Sequence, residues 1–244
     1  MKTRLIIFLS LVFVLPQAPR KRTVWEGVYT TEQAARGKQV WTTVCVACHP
    51  NDLDDNPNAR LRGEPFMREW GEYHMGPFYG QVKTMPNDKP GSLGDDKYLD
   101  VMSYILQVNG FPEGKEPLKV EDLRHIQIEG RTGPKQLASG TLALVIGCLA
   151  QNQDDGWFVL GTTTDPIRTE TSREATPEEL DDAQYTRLGR REFWLQNLDR
   201  IASEFRAADH IGAKILAKGY VIWQTNRNRV DVTTTKVLSD TCEP

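Results

Sequence analysis

The chain has 244 residues, 39% of them hydrophobic and 26% charged, with a formal net charge of −3. This is the composition of a folded globular protein, and it excludes a chain that is disordered or membrane-embedded as a whole. The acidic balance argues against nucleic acid or an anionic membrane surface as partner, and suits a neutral or basic protein.

The chain opens with Met1-Lys2-Thr3-Arg4, an apolar run from Leu5 to Leu15, and Pro16-Gln17-Ala18. A charged start, a short apolar centre and a small-residue zone make an export signal, assigned to residues 1–22. Its cleavage point stays open, because Pro16 stands where a small residue is expected. The apolar run is shorter than the roughly 20 residues a bilayer span needs, so no stable membrane span is expected unless the signal is retained. Residues 1–22 hold five Lys and Arg, and their removal lowers the net charge by five, from −3 to −8. The expected location is periplasmic or otherwise outside a bacterial cytoplasm.

Thr31 is a candidate N-cap for a helix with Ala34, Gly37, Val40 and Trp41 at helical spacing. That helix leads into Cys45-Val46-Ala47-Cys48-His49. C-x-x-C-H is the attachment sequence of a c-type haem. Two thiols add across the vinyl groups, and the following imidazole is placed to bind iron. A redox dithiol would need a βαβ setting and a zinc site a second ligand pair, and the sequence offers neither. The cofactor expected is one covalently attached haem c on Cys45 and Cys48, with His49 as an axial ligand.

For the other axial position, Met85 in Lys83-Thr84-Met85-Pro86 is favoured, on a turn-rich stretch. His74 is the rival, and Met67, Met75 and Met102 read as packing. A closing helix is predicted from Asp95-Asp96, with Tyr98, Val101, Met102, Ile105 and Leu106 as its apolar face, stopped by Gly110 and Pro112. Which of Trp70, Arg62 and Tyr79 would meet the haem propionates stays open.

Taken together, Val24-Trp25-Glu26-Gly27-Val28-Tyr29-Thr30, Ala35-Arg36-Gly37-Lys38, the haem motif, Trp70, Thr84-Met85-Pro86, Pro90-Gly91-Ser92-Leu93 and Tyr104 to Pro112 form a set. This set resembles a class I cytochrome c domain, in particular the monohaem cytochromes that accompany quinoprotein alcohol dehydrogenases. The resemblance covers residues 24–112. It implies an all-α domain, haem attachment at Cys45 and Cys48, and ligation by His49 and Met85. It also implies a helix crossing at Gly37 and Tyr104. The family's proline near the position of Ala59 is missing.

Residues 113–137 read as a linker that packs on the first domain through Leu123, Ile126 and Ile128. From 138 to 244 the texture changes to short apolar runs. Thr141–Leu149, Trp157–Thr162, Arg191–Leu195, Ile215–Trp223 and Val230–Val237 are predicted strands, with a helix over Ile201–Ala208. Five strands with a helix after the third resemble a small OB-like β-barrel. Its aromatic residues Trp157, Phe158, Phe193, Trp194 and Trp223 are either core or a ligand face. His125 and His210 have no metal partners at motif spacing. Cys148 and Cys242 are left for a disulfide, the default for spare cysteines in an oxidising compartment.

The fold class expected is therefore an all-α cytochrome domain followed by a small β-barrel. The function expected is that of an exported monohaem c-type cytochrome carrying single electrons, an electron carrier rather than an enzyme. Its partner would be a redox protein such as a dehydrogenase or terminal oxidase. A haem-based sensor or ligand-binding module, and a cytochrome subunit of a quinoprotein dehydrogenase, stand as alternatives.

Overall fold

The structure, a computed structural model, describes residues 22–49, 53, 61–169 and 174–242. The segment read as an export signal and Ala59 lie outside the described residues, apart from Arg22. Strand β1 (Arg22–Thr23) is followed by a capping box, in which the Thr23 hydroxyl accepts from Trp25 N–H and Glu26 accepts from the Thr23 N–H. Helix α1 spans Thr31–Thr43. Its cap is Thr30, one residue earlier than expected, and the Thr30 hydroxyl accepts from Gln33 N–H at 3.2 Å.

Helices α2 (Gly63–Trp70), α3 (Met75–Lys83) and α4 (Asp95–Val108) complete the helical part. Gly94 starts α4 with a positive φ, which leaves Asp95 and Asp96 in the first turn, where carboxylates favour the exposed N–H groups. The chain then leaves α4 through Gly110 at φ 77°. The α1 and α4 axes meet at Gly37, where any Cβ would collide with the Asp100 carbonyl and lie 3.0 Å from the Tyr104 Cβ. Beside this crossing the Arg36 guanidinium donates two hydrogen bonds to the Asp100 carboxylate, at 2.9 and 2.8 Å.

Strand β2 (Ile126–Gln127) returns to pair in parallel with β1, Arg22 opposite Ile126. Leu118, Leu123, Ile126 and Ile128 are buried in the same apolar core as Trp41, Phe66, Phe78 and Leu106. Gln33 ties the segment down further, accepting from Leu118 N–H at 2.7 Å and donating to the Leu118 carbonyl at 3.0 Å.

The second half holds β3 (Leu142–Gln151), β4 (Phe158–Thr163), β5 (Ile167–Arg168), helix α5 (Pro177–Tyr185), β6 (Arg191–Gln196), β7 (Lys214–Ile222) and β8 (Arg229–Ser239). Their order in one six-stranded sheet is β4-β6-β8-β7-β3-β5, and β3 also pairs with β4. Four of the five long-strand pairings are antiparallel, and β6 runs parallel to β8. Alternation along β3 serves two cores. Ala143, Val145 and Leu149 join Phe193, Ile215 and Val230 on one side, whereas Leu144 and Ile146 join Ala183 of α5 and Leu216 on the other. A strand covered on both faces reads as a continuous apolar run, as Leu142–Leu149 does.

Two expectations are corrected here. The chain is mixed α/β with a six-stranded mixed sheet, not an all-α cytochrome domain followed by a small OB-like β-barrel. The parallel β1–β2 pair joins positions 104 residues apart, beyond any local pattern. Further, the helix expected over Ile201–Ala208 is two separate 3-10 turns, Leu198–Ile201 and Ala207–His210. The helix of this half lies earlier, at Pro177–Tyr185, started by a capping box between Thr176 and Glu179.

Candidate functional site

The last turn of α1 carries Trp41 into the core and hands the chain to a 3-10 turn over Cys45–Ala47. The turn is closed by Cys48 N–H and His49 N–H, both donating to the Cys45 carbonyl, at 3.1 and 2.9 Å. It separates the two thiols by environment: Cys45 is half-buried and Cys48 is exposed. Burial, and secondly the neighbouring Cys48, push the Cys45 thiol up to about 11. Burial lowers the His49 imidazole below its usual range, which keeps it neutral, the form in which an imidazole binds iron.

Cys45, His49 and Met85 line one apolar space. It has two parts, of about 350 and 490 Å³, which share Cys45, His49, Val82, Met85 and Val101. The smaller part is completed by Trp41, Leu61, Trp70, Phe78 and Ile105, with Glu69 and Gln81 as its polar members. The larger reaches Cys48, Pro86, Leu93 and Tyr98. Cavities of this size and lining accept cofactors.

Met85 is held from both sides of the backbone. Its N–H donates to the Val82 carbonyl at 3.1 Å, and its carbonyl accepts from the Tyr98 hydroxyl at 2.7 Å. The Trp41 ring lies 5.7 Å from that of His49. Three polar atoms of the lining side chains, Trp41 Nε1, His49 Nδ1 and Trp70 Nε1, are buried without a hydrogen-bond partner among the described residues. Buried donors are rarely left so unless another group meets them. Two thiols, a neutral imidazole, a thioether, largely apolar walls and buried polar atoms without partners among the described residues fit a covalently attached haem.

His74 is placed elsewhere. Its Nδ1 accepts from Gly76 N–H at 3.1 Å, and it lines a separate cleft between the two halves. Trp70 lines both that cleft and the haem-sized cavity, whereas Arg62 and Tyr79 line neither. Trp41, Val101 and Ile105, which the sequence marks only by helical spacing, also line the cavity; the place of Trp41 one turn before Cys45 is the signal for its role. His125 accepts from Arg124 Nε at 2.9 Å, and His210 stacks on Phe205. Cys148 and Cys242 are joined as a disulfide, with 5.4 Å between Cα atoms. Phe193 is core, and Trp194 is covered by the Arg227 guanidinium at 4.1 Å.

No protein-family model matches the chain, and it matches no curated protein and no solved structure. Among the described residues no group of three or more His, Cys, Asp or Glu side chains is placed to hold a metal ion. With the mixed α/β fold, these findings correct the expected membership of the class I cytochromes c and of an OB-like barrel family. Cys45, Cys48, His49 and Met85 stand on their own chemistry and placement, with no family behind them.

Proposed function

We propose that the chain is an exported carrier of single electrons, holding one haem covalently at Cys45 and Cys48 with His49 and Met85 as axial ligands. The observation that carries this is the common cavity of Cys45, His49 and Met85, which brings together two segments 36 residues apart in sequence from His49 to Met85. A haem so held supplies a one-electron ferric–ferrous couple, which a thioether ligand shifts toward the ferrous state.

The protein's own part is positional and electrostatic. Burial keeps His49 neutral, and the short turn after Cys45 sets its place relative to both thiols. The Val82 and Tyr98 contacts fix the Met85 backbone. Phe78, Val82, Val101 and Ile105 give the cavity an apolar lining, which favours a small solvent reorganisation on electron transfer. Exposed Cys48 marks the edge nearest a partner. Were His49 and Met85 both to hold the haem, no position on it would be open to a substrate, which would suit a shuttle between a dehydrogenase and an oxidase rather than an enzyme.

Export is supported by the Cys148–Cys242 disulfide, since such bonds persist in oxidising compartments. No helix among the described residues is long and apolar enough to cross a membrane.

The test is the visible and near-infrared spectrum of protein matured in a periplasm, oxidised and reduced. A c-type spectrum is expected, with a weak methionine-to-ferric-iron band that disappears in Met85→Ala, and with no carbon monoxide binding by the native ferrous protein. Absence of covalent haem in the wild type, with Cys45 and Cys48 reactive as free thiols, would sink the proposal.

A further inference from the structure

The two sulfurs of the Cys148–Cys242 disulfide sit in different surroundings. The Thr162 hydroxyl donates to Cys148 Sγ at 3.1 Å, and no donor among the described residues reaches the Cys242 sulfur. A donor on one sulfur draws electron density toward it and leaves the other sulfur the better electrophile.

Thr162 reaches Cys148 from an unfavourable backbone conformation. Its φ is 47°, in the left-handed region that β-branched residues rarely enter. The residue lies where the register between β4 and β6 shifts, and its carbonyl accepts from Gly189 N–H at 3.1 Å. A conformation of this kind, held in place by its neighbours, marks a position whose side chain has a task.

A cation stands on the same side. Lys214 is opposite Cys148 in the antiparallel β3–β7 pair, and residues so paired share a face with their Cβ atoms about 5 Å apart. The Lys214 ammonium donates to the Gln184 and Thr186 carbonyls, at 3.0 and 3.3 Å, which are neutral and leave its charge uncancelled. A hydroxyl donor and a nearby ammonium both favour a thiolate at Cys148.

We infer that Cys148–Cys242 is a thiol–disulfide exchange site, which a dithiol reduces by attack at Cys242 with Cys148 as the leaving thiolate. A thiolate of the dithiol bonds to Cys242 Sγ, the S–S bond breaks, and Cys148 Sγ takes the electron pair. Thr162 and Lys214 meet the charge that develops there, and a better-stabilised leaving thiolate departs faster. The second thiol of the dithiol then displaces Cys242 from the mixed disulfide. The dithiol leaves oxidised, and both cysteines become thiols after taking up protons. Cys148 and Cys242 are each partly exposed, so the attack needs no unfolding. The site is separate from Cys45 and Cys48 and does not depend on the haem.

The test uses the full mature protein in native buffer, with glutathione to trap the first step and dithiothreitol to complete it. Acid quenching, alkylation and peptide mass spectrometry follow Cys148 and Cys242 individually. Glutathione should be found on Cys242, with Cys148 alkylated as the free thiol, a result that needs no variant. The rate of reduction should rise in proportion to dithiothreitol concentration. Thr162→Val should slow it about tenfold, and Thr162→Ser, which keeps the hydroxyl, should restore it. Lys214→Gln, which keeps a donor for the two carbonyls and removes the charge, should slow it severalfold without touching the strained position. Glutathione on Cys148, or on both cysteines equally, overturns the inference. So does a reduction rate independent of dithiothreitol concentration, which marks a disulfide reached only by unfolding, or a Thr162→Val rate equal to wild type.

Discussion

Lys218 Nζ lies 2.9 Å from Glu179 Oε2, with the lysine side chain wholly shielded from water. The same ammonium also donates to Glu179 Oε1 at 3.1 Å and to the Glu174 carbonyl at 3.0 Å. Glu179 in turn accepts from Thr176 N–H at 2.8 Å and from the Thr169 hydroxyl. One carboxylate thus starts α5, anchors it to β7 and satisfies a buried lysine. Glu179→Gln removes the carboxylate that pairs with this buried ammonium, which should destabilise the protein by about 3–5 kcal/mol. Lys218→Met, which removes the buried charge itself, should cost less. Urea unfolding of the two variants measures the order, and a milder loss in Glu179→Gln than in Lys218→Met would contradict this account of the pair.

The disulfide should carry a large share of the second half's stability. It joins Cys148, near the end of β3, to Cys242 just past β8, across 94 residues of sequence. Constraint of so long a loop in the unfolded chain is worth about 4–5 kcal/mol in the chain-entropy picture. The Cys148→Ser/Cys242→Ser double variant should therefore melt on the order of 10 °C lower. A thermal scan in oxidising buffer, compared with wild type under reductant, checks that the two treatments agree.

How much of this was legible in the sequence depends on how local the signal is. Cys45, Cys48 and His49 are set by covalent spacing; the turn-rich setting of Met85 favours it over His74 as the second axial ligand, and the structure shows it lining a cavity with Cys45 and His49 while His74 lines another. The five long strands read correctly as apolar runs because β3, β7 and β8 are buried enough to need them. The α5 signal was also present, in Thr176-Pro177-Glu178-Glu179, but that stretch reads first as an acidic surface. Ile201 and Phe205 have helical spacing, yet a span of eight residues is too short to enforce a helix, and the chain takes two 3-10 turns instead. Pairing of β1 with β2, and the two-residue β5, depend on partners far away in sequence and left no pattern to read. The cleft belongs to this class too, since its walls come from both halves.

Glu72 ties the segment that follows the helical half back to it and should give the protein a pH dependence. Its Oε1 accepts from Lys135 N–H at 2.9 Å. Burial raises its carboxyl above the usual range, more than the Lys135 hydrogen bond lowers it. A carboxyl that holds its proton more tightly when folded stabilises the native state below its unfolded pKa. That contribution is lost as pH rises through the folded value. Glu72→Gln keeps an acceptor for Lys135 and removes the ionisation. The variant should be more stable than wild type at pH 7.5, and the advantage should disappear by pH 4. Denaturation midpoints at the two pH values measure it, and an advantage that grows toward low pH would show that the sign is wrong.

Two glycines, both in helices, should respond in opposite directions to the same substitution. In an exposed helix interior, Gly→Ala gains about 1 kcal/mol from the lower entropy of the unfolded chain. Gly80 meets that condition, because its position on α3 is exposed and an added Cβ touches nothing within 4 Å. Gly80→Ala should therefore raise the unfolding free energy by about 0.5–1 kcal/mol. Gly37 has the same propensity term in α1, but its Cβ would run into the Asp100 carbonyl at the crossing with α4. Relief requires the two helices to part, which also strains the Arg36–Asp100 pair beside them. Overpacking of this kind costs about 1–3 kcal/mol or more and outweighs the propensity gain. Gly37→Ala should be destabilising, and Arg36→Ala, which frees the crossing to adjust, should soften the effect. A double-mutant cycle on Gly37 and Arg36 reads the coupling directly, and additive effects would show that the crossing yields without disturbing the ion pair.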